Sequence, residues 1–198
     1  MLFNSIEFLI FLPIVFAIYW MLNKHLRWQN TFIVVASYIF YGWWDWRFLT
    51  LIAFTSLCSW GAGILIEKNR DNVRSARRIN TLNICINLLI LAVFKYYNFF
   101  VESFFSLFPS LSSDSFLIHI ILPVGISFYT FQALSYSIDV YRGKIGATKD
   151  IVQFFAFVSF FPQLVAGPIE RATNLLPQFS KQRIFDCHEA LDGTRQIL

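Results

Sequence analysis

Charge is scarce in this chain of 198 residues: Asp, Glu, Lys and Arg make up 14% of it, against roughly 25% in an ordinary globular domain. That shortage excludes both a solvated soluble domain and a charged disordered segment. Cysteine is too sparse for a framework. Cys58, Cys85 and Cys187 show neither C-x-x-C nor metal-ligand spacing, so no disulfide, redox motif or metal site is expected. Histidine is limited to His25, His119 and His188, none embedded in an apolar run beside an acid or nucleophile. No catalytic base is therefore expected in this stretch. A nucleophile elbow, a phosphate-binding glycine loop and H-E-x-x-H are all missing. The N-terminus lacks a basic n-region and a small-residue cleavage site, which predicts a retained first span and no removable signal.

What fills the space is apolar. Hydrophobic residues make up 57% and aromatics 19%, and the mean hydropathy is +0.56. Several apolar runs reach or approach the roughly 17 to 25 residues that cross a hydrocarbon core as helix, and none alternates with the period of two of a barrel strand. The expected fold is all-α, a polytopic transmembrane bundle of about five spans plus a broken segment. Residues 1–198 read as a single transmembrane domain without internal repeat. The net charge of +4 sits in short links between apolar runs and not on one face, so lipid headgroups and topology explain it, and nucleic acid is not an expected partner.

The spans are expected at about Phe8–Leu22, Asn30–Trp44, Phe48–Ile66, Ile79–Phe100 and Ile120–Tyr141. The link with Lys24 and Arg27, the segment "EKNRDNVRSARR" and the link with Arg142 and Lys144 all fall on one side by alternation. The Ser-rich loop "VESFFSLFPSLSSDS", with Glu102 and Asp114 and no Lys or Arg, falls on the other. The excess of Lys and Arg places the basic links in the cytoplasm and the N-terminus outside the plasma (inner) membrane.

Two features could shape a site. On span five, Gln132, Ser135, Tyr136 and Asp139 follow each other at i, i+3, i+4 and i+7, one helix face, with Arg142 a turn further on. Such a stripe faces a wet cavity or joins helices, with Asp139 and Arg142 pairing at the boundary in the second case. After Lys149, the run Ile151–Ile169 is long enough to cross, yet it contains Pro162 and Gly167-Pro168 and is followed by Glu170-Arg171. Proline removes a backbone donor, and broken backbone at membrane depth needs protein or water around it. The basic continuation favours a segment that dips in and returns; a kinked ordinary span ending at Glu170 is the alternative. With Gln163, these residues are the candidates for a substrate path. The closing "HEALDGTRQIL" reads as the start of a further helix, and more chain is expected beyond it.

The pair "LPVGISFYTFQALSYSIDVYRG" and "FFPQLVAGPIERATNLLPQF", together with "LFNSIEFLIFLPIVFAIYW" and "SYIFYGWWDWRFL", resembles the membrane-bound O-acyltransferase (MBOAT) family, in the bacterial branch that O-acetylates alginate. The resemblance covers nearly the whole chain, as the N-terminal portion of longer family members. It implies a bundle pierced by a tunnel, with an acyl donor such as acetyl-CoA arriving from the cytoplasm as substrate, and no bound cofactor. The acceptor it implies is a hydroxyl on an exported polysaccharide, and partner proteins of an acetylation or export complex are expected beside membrane lipid. The family's histidine base lies in the C-terminal half, so the catalytic residue is expected beyond Leu198 and this stretch alone is expected to be inactive. A polysaccharide or lipid-linked intermediate transporter, and a noncatalytic scaffold of an export complex, are the other functions compatible with broken helices and intramembrane polar groups.

Overall fold

The computed structural model describes residues 4–107, 123–164 and 170–197, and every regular element in them is helical. Helix α1 (Ile6–Met21) starts at Ser5, whose hydroxyl accepts from the Phe8 amide at 3.3 Å. Helix α2 (Leu26–Gly42) ends at the tryptophan cluster, where Asp45 caps a 3₁₀ turn (Trp46–Phe48) that leads into α3 (Leu49–Lys68). Asp45 and Arg47 pair at 2.7 Å; the hydrogen bond from Arg47 holds the half-buried Asp45 carboxyl below the usual carboxylate range. Then come α4 (Val73–Leu107), α5 (Ile126–Tyr141), α6 (Ile151–Val158), α7 (Phe161–Leu164), α8 (Ala172–Leu175), a second 3₁₀ turn (Leu176–Phe179) and α9 (Cys187–Ile197).

Among the described residues, two stretches are long and apolar enough to cross a membrane: Trp46–Lys68 and Val73–Phe104. Helices α1, α2 and α5 have 16, 17 and 16 residues, about 24 to 26 Å at 1.5 Å per residue.

Several boundaries differ from the sequence reading. The basic segment expected to separate spans three and four is mostly helix: only residues 69–72 link α3 to α4, and Arg74, Arg77 and Arg78 lie on the first turns of α4. Arginine is a good helix former, and Asn72 accepts from the Ser75 amide at 3.1 Å as a cap. At its other end α4 runs seven residues past Phe100 into the expected Ser-rich loop, because no proline or glycine interrupts Val101–Leu107. The remainder of that loop, with Asp114 and His119, lies outside the described residues. The helix of span five begins at Ile126 and not at Ile120; residues 120–122 are outside the description, and Pro123 and Gly125 precede the helix.

Hydrogen bonds fix the polarity of the bundle. The Ala147 amide donates to Glu67 Oε1 (3.3 Å) and Trp60 Nε1 donates to the Thr148 carbonyl (3.0 Å), so α3 and α5 both run toward the same end. The Tyr41 hydroxyl donates to the Val124 carbonyl, which sets the end of α2 against the start of α5. Helices α3, α4 and α5 each pack on the other two as a three-helix cluster, and α2 packs on α6 and α7 beside it. The core between them contains Ile52, Tyr129, Ala133, Tyr136, Phe154 and Phe157. Small residues allow the closest approach, as membrane helices require: Gly63 lies so near Tyr136 that a Cβ there would sit 2.5 Å from the ring.

Candidate functional site

The run expected to be broken is broken, but earlier than the proline. Helix α6 stops at Val158, two residues intervene, and Pro162 is the second residue of α7. The reason is steric: in a continuous helix the ring of Pro162 would clash with the carbonyl of residue 158, four positions back. Pro162 itself is exposed.

The backbone groups freed by the break are taken up by side chains from two neighbouring helices. In an unbroken helix the Phe161 amide would donate to the Phe157 carbonyl. Here that amide donates to Ser37 Oγ of α2 (3.2 Å), and the Phe157 carbonyl accepts from Gln132 Nε2 of α5 (2.8 Å). The same Gln132 nitrogen donates to Gln163 Oε1 at 3.2 Å. Ser37, Gln132 and Gln163 are buried. One face of this seam is closed by Gly125, at φ 77°, where an added Cβ would lie 2.5 Å from the Leu164 carbonyl. A side chain at that position would both strain the backbone and strike the end of α7.

Beyond the break the chain comes back to where it started. Gln153, in the first turn of α6, donates to the Leu176 carbonyl at 3.3 Å. Asn30 Nδ2, near the start of α2, donates to the Phe179 carbonyl at 2.8 Å. Arg183 then fastens the return: its guanidinium donates to Gln29 Oε1 and Asn30 Oδ1, each at 2.9 Å. It also lies over the rings of Tyr19 and Phe179, 5.5 and 5.0 Å from their centres, contacts that favour a desolvated cation. Burial pulls the Arg183 pKa below the ordinary arginine value, the neighbouring Tyr19 acting in the opposite sense. Among the described residues no carboxylate pairs with it.

The predicted stripe on α5 divides between several tasks. Gln132 holds the break. Tyr136 accepts from the Thr148 amide through its hydroxyl (3.1 Å), and Ser135, half-buried, donates to the Gln132 carbonyl of its own helix. Asp139 is buried and pairs with Lys144 at 3.9 Å, not with Arg142; its Oδ2 has no partner among the described residues. Of the remaining candidates, Gly167 and Pro168 lie outside the described residues. Glu170 and Arg171 are both exposed; Glu170 accepts from Asn174 at 3.4 Å, and the two form no ion pair with each other.

A second polar cluster was not anticipated. Between α3, α4 and α5, Asn83 Nδ2 donates to Ser137 Oγ (3.0 Å), Asn87 Nδ2 donates to Asn83 Oδ1 (3.0 Å), and the Ser59 hydroxyl donates to the same oxygen (3.3 Å). All four residues are buried, as is Asn80 one turn earlier. Asparagines 80, 83 and 87 recur at i, i+3 and i+7 inside an apolar run, the same signal that singled out the stripe on α5. Together the seam and the cluster offer amides, hydroxyls and carbonyls, none of them a strong general base.

No family model and no solved structure matches the chain. Curated proteins do. It is 41% identical over 184 residues to the "Probable alginate O-acetylase AlgI" of Pseudomonas putida, covering 92% of this chain and 38% of that protein. The protein of the same name from Pseudomonas aeruginosa is 41% identical over 182 residues, 91% of this chain and 35% of the relative. The "Peptidoglycan O-acetyltransferase" of Helicobacter pylori is 30% identical over 207 residues, 90% of this chain and 38% of the relative. The chain thus spans little more than a third of the length of these relatives.

Proposed function

We propose that this chain, which belongs with the AlgI-type O-acetylases over nine tenths of its length, is the N-terminal, membrane-embedded part of an O-acetyltransferase acting on hydroxyls of an exported polysaccharide. The observation that carries the reading is the 41% identity over 92% of the chain to proteins named alginate O-acetylase. The relative named for peptidoglycan supports a polysaccharide acceptor in general. In this reading α1 to α5 are five spans of the inner membrane, with the N-terminus outside. Residues 151–183 form a re-entrant element opening from the cytoplasmic side, which accords with the bond from Gln153 to the Leu176 carbonyl.

The chain's own residues prepare the path and leave the chemistry to a histidine beyond Leu198. Gln132 and Ser37 hold the broken backbone open without spending its polar groups on lipid. Gln163 and the α5 stripe line the wall beside it, and the acyl donor, acetyl-CoA or a carrier loaded by a partner protein, reaches it from the basic end. There the acceptor hydroxyl gives its proton to that histidine base as its oxygen bonds to the acyl carbonyl carbon. The bond from the acyl group to its carrier breaks, and the carrier leaves with the proton, as a thiol where it is coenzyme A.

The test is complementation. In a strain lacking the gene, the complete gene product should restore O-acetyl groups on the exported polymer, and residues 1–198 alone should not. An unacetylated polymer with the complete, membrane-inserted protein refutes the function. Topology has its own readout. In a background free of Cys58, Cys85 and Cys187, a cysteine at Ser112 should react with an impermeant thiol reagent from outside and one at Ser75 should not. The reverse pattern would overturn the orientation.

A further inference from the structure

Along the exposed face of α2 runs an apolar groove that the acylation path does not use. Its first part, about 240 Å³, lies between Thr31, Val34 and Val35 of α2 and Ile151, Val152 and Phe155 of α6. Val34 and Val35 also line a second, wider part of about 550 Å³, which continues past Tyr38 to Trp43 and Trp46. From Thr31 to Gly42 the groove follows the helix for about 17 Å at 1.5 Å per residue. That is close to the half-thickness, about 15 Å, of a hydrocarbon core.

The two ends differ in charge. At the Thr31 end, Arg27 stands one turn earlier on α2, its carbonyl accepting from the Thr31 hydroxyl at 2.8 Å. Lys149 directly precedes α6 and its cap Asp150, on the other side of the groove. Both cations are exposed, and neither forms an ion pair with a described residue. The acid beside them, Asp150, is committed: its Oδ1 accepts from the Val152 and Gln153 amides as the cap of α6. At the tryptophan end the charges of Asp45 and Arg47 cancel as a pair. A trough with free cations at one end and a neutral aromatic stop at the other complements a molecule with an anionic head and one apolar tail's length of chain.

We propose that this groove binds one anionic glycerophospholipid of the leaflet on the basic side, its phosphate between Arg27 and Lys149 and an acyl chain along Val34, Val35 and Tyr38. The proposal rests on the reading that α2 lies in the membrane. A basic residue near a membrane surface contributes about 1 kcal/mol toward an anionic lipid, which is about fivefold in retention.

The experiment is native mass spectrometry of the protein as its host expresses it, extracted in mild detergent and exchanged against phosphatidylglycerol or phosphatidylcholine with identical acyl chains. Phosphatidylglycerol should be retained over phosphatidylcholine, and Arg27→Gln and Lys149→Gln should each lower that preference about fivefold. Val35→Trp, which fills the groove from its exposed side, should lower retention of both lipids. Arg74→Gln with Arg77→Gln, on α4, should leave the preference unchanged. Equal retention of the two lipids overturns the proposal, as does a preference that survives both groove variants or one that the α4 variant abolishes. Carbonate extraction separates the two readings. Release of the protein from the membrane refutes the embedded α2, whereas a protein that stays embedded without lipid preference refutes the lipid site alone.

Discussion

Replacing Gly63 by alanine should damage the bundle far more than a single methyl group suggests. The new Cβ would lie 2.5, 2.6 and 2.8 Å from Cε1, the hydroxyl oxygen and Cζ of Tyr136. Atoms cannot approach so closely, so the ring or α3 must move. The ring has little room, since it is fully buried and packs on Phe154 with centres 4.6 Å apart. Moving it also removes the acceptor of the Thr148 amide. Overpacking costs about 1 to 3 kcal/mol and the lost hydrogen bond about 1 kcal/mol. The sum, about 2 to 4 kcal/mol, corresponds to a fall in Tm of roughly 4 to 16 °C for a chain of this size. Gly61, two residues away, has nothing within 4 Å of its Cβ position. Gly61→Ala should be neutral, or stabilise α3 by about 0.5 to 1 kcal/mol. Thermal unfolding of both variants in mild detergent, followed by near-ultraviolet circular dichroism, makes the comparison internal. Equal midpoints for the two alanine variants would refute the close approach of α3 to α5.

Other perturbations address the seam, the cluster and the return. Gln132→Leu leaves the Phe157 carbonyl and Gln163 Oε1 without their donor, at about 1 to 3 kcal/mol; polymer acetylation by the complete protein should fall with it, and unchanged acetylation at normal expression would return Gln132 to plain packing. Arg183→Lys keeps the charge but not the planar fork, so limited proteolysis should cut within residues 180–186 faster than in the unchanged protein, and equal cutting rates would remove the clamp. Asn83→Leu removes bonds to Ser59, Asn87 and Ser137 and should lower stability by about 1 to 2 kcal/mol, the scale of interhelical polar contacts in membranes. A midpoint at or above that of the unchanged protein would show that the cluster does not join α3, α4 and α5.

The helical class and the rough position of each apolar run were legible because length and hydropathy alone decide them. The ends were not. Arg74, Arg77 and Arg78 read as a link because charge signals the boundary of a lipid span, yet charge does not stop a helix, and Asn72 starts one there. Pro162 announced a break, but only the clash with residue 158 fixes where α6 stops. That Gln132 and Gln163 meet is a tertiary fact, since the residues are 31 apart. Arg183 sat in a polar stretch with nothing local to mark it, because both acceptors that hold it lie about 150 positions earlier.

The bond from Asn30 to Phe179 closes a loop of 149 residues, and this imposes an order on assembly. At a synthesis rate of about 5 to 20 residues per second, Phe179 leaves the ribosome roughly 7 to 30 s after Asn30. Until then Gln29 and Asn30, both buried in the folded chain, lack the carbonyl and the guanidinium that complete their hydrogen bonds. The α1–α2 hairpin is therefore made with an unfinished polar end, available to water or to a chaperone. A segment made some 150 residues later is the one that seals it.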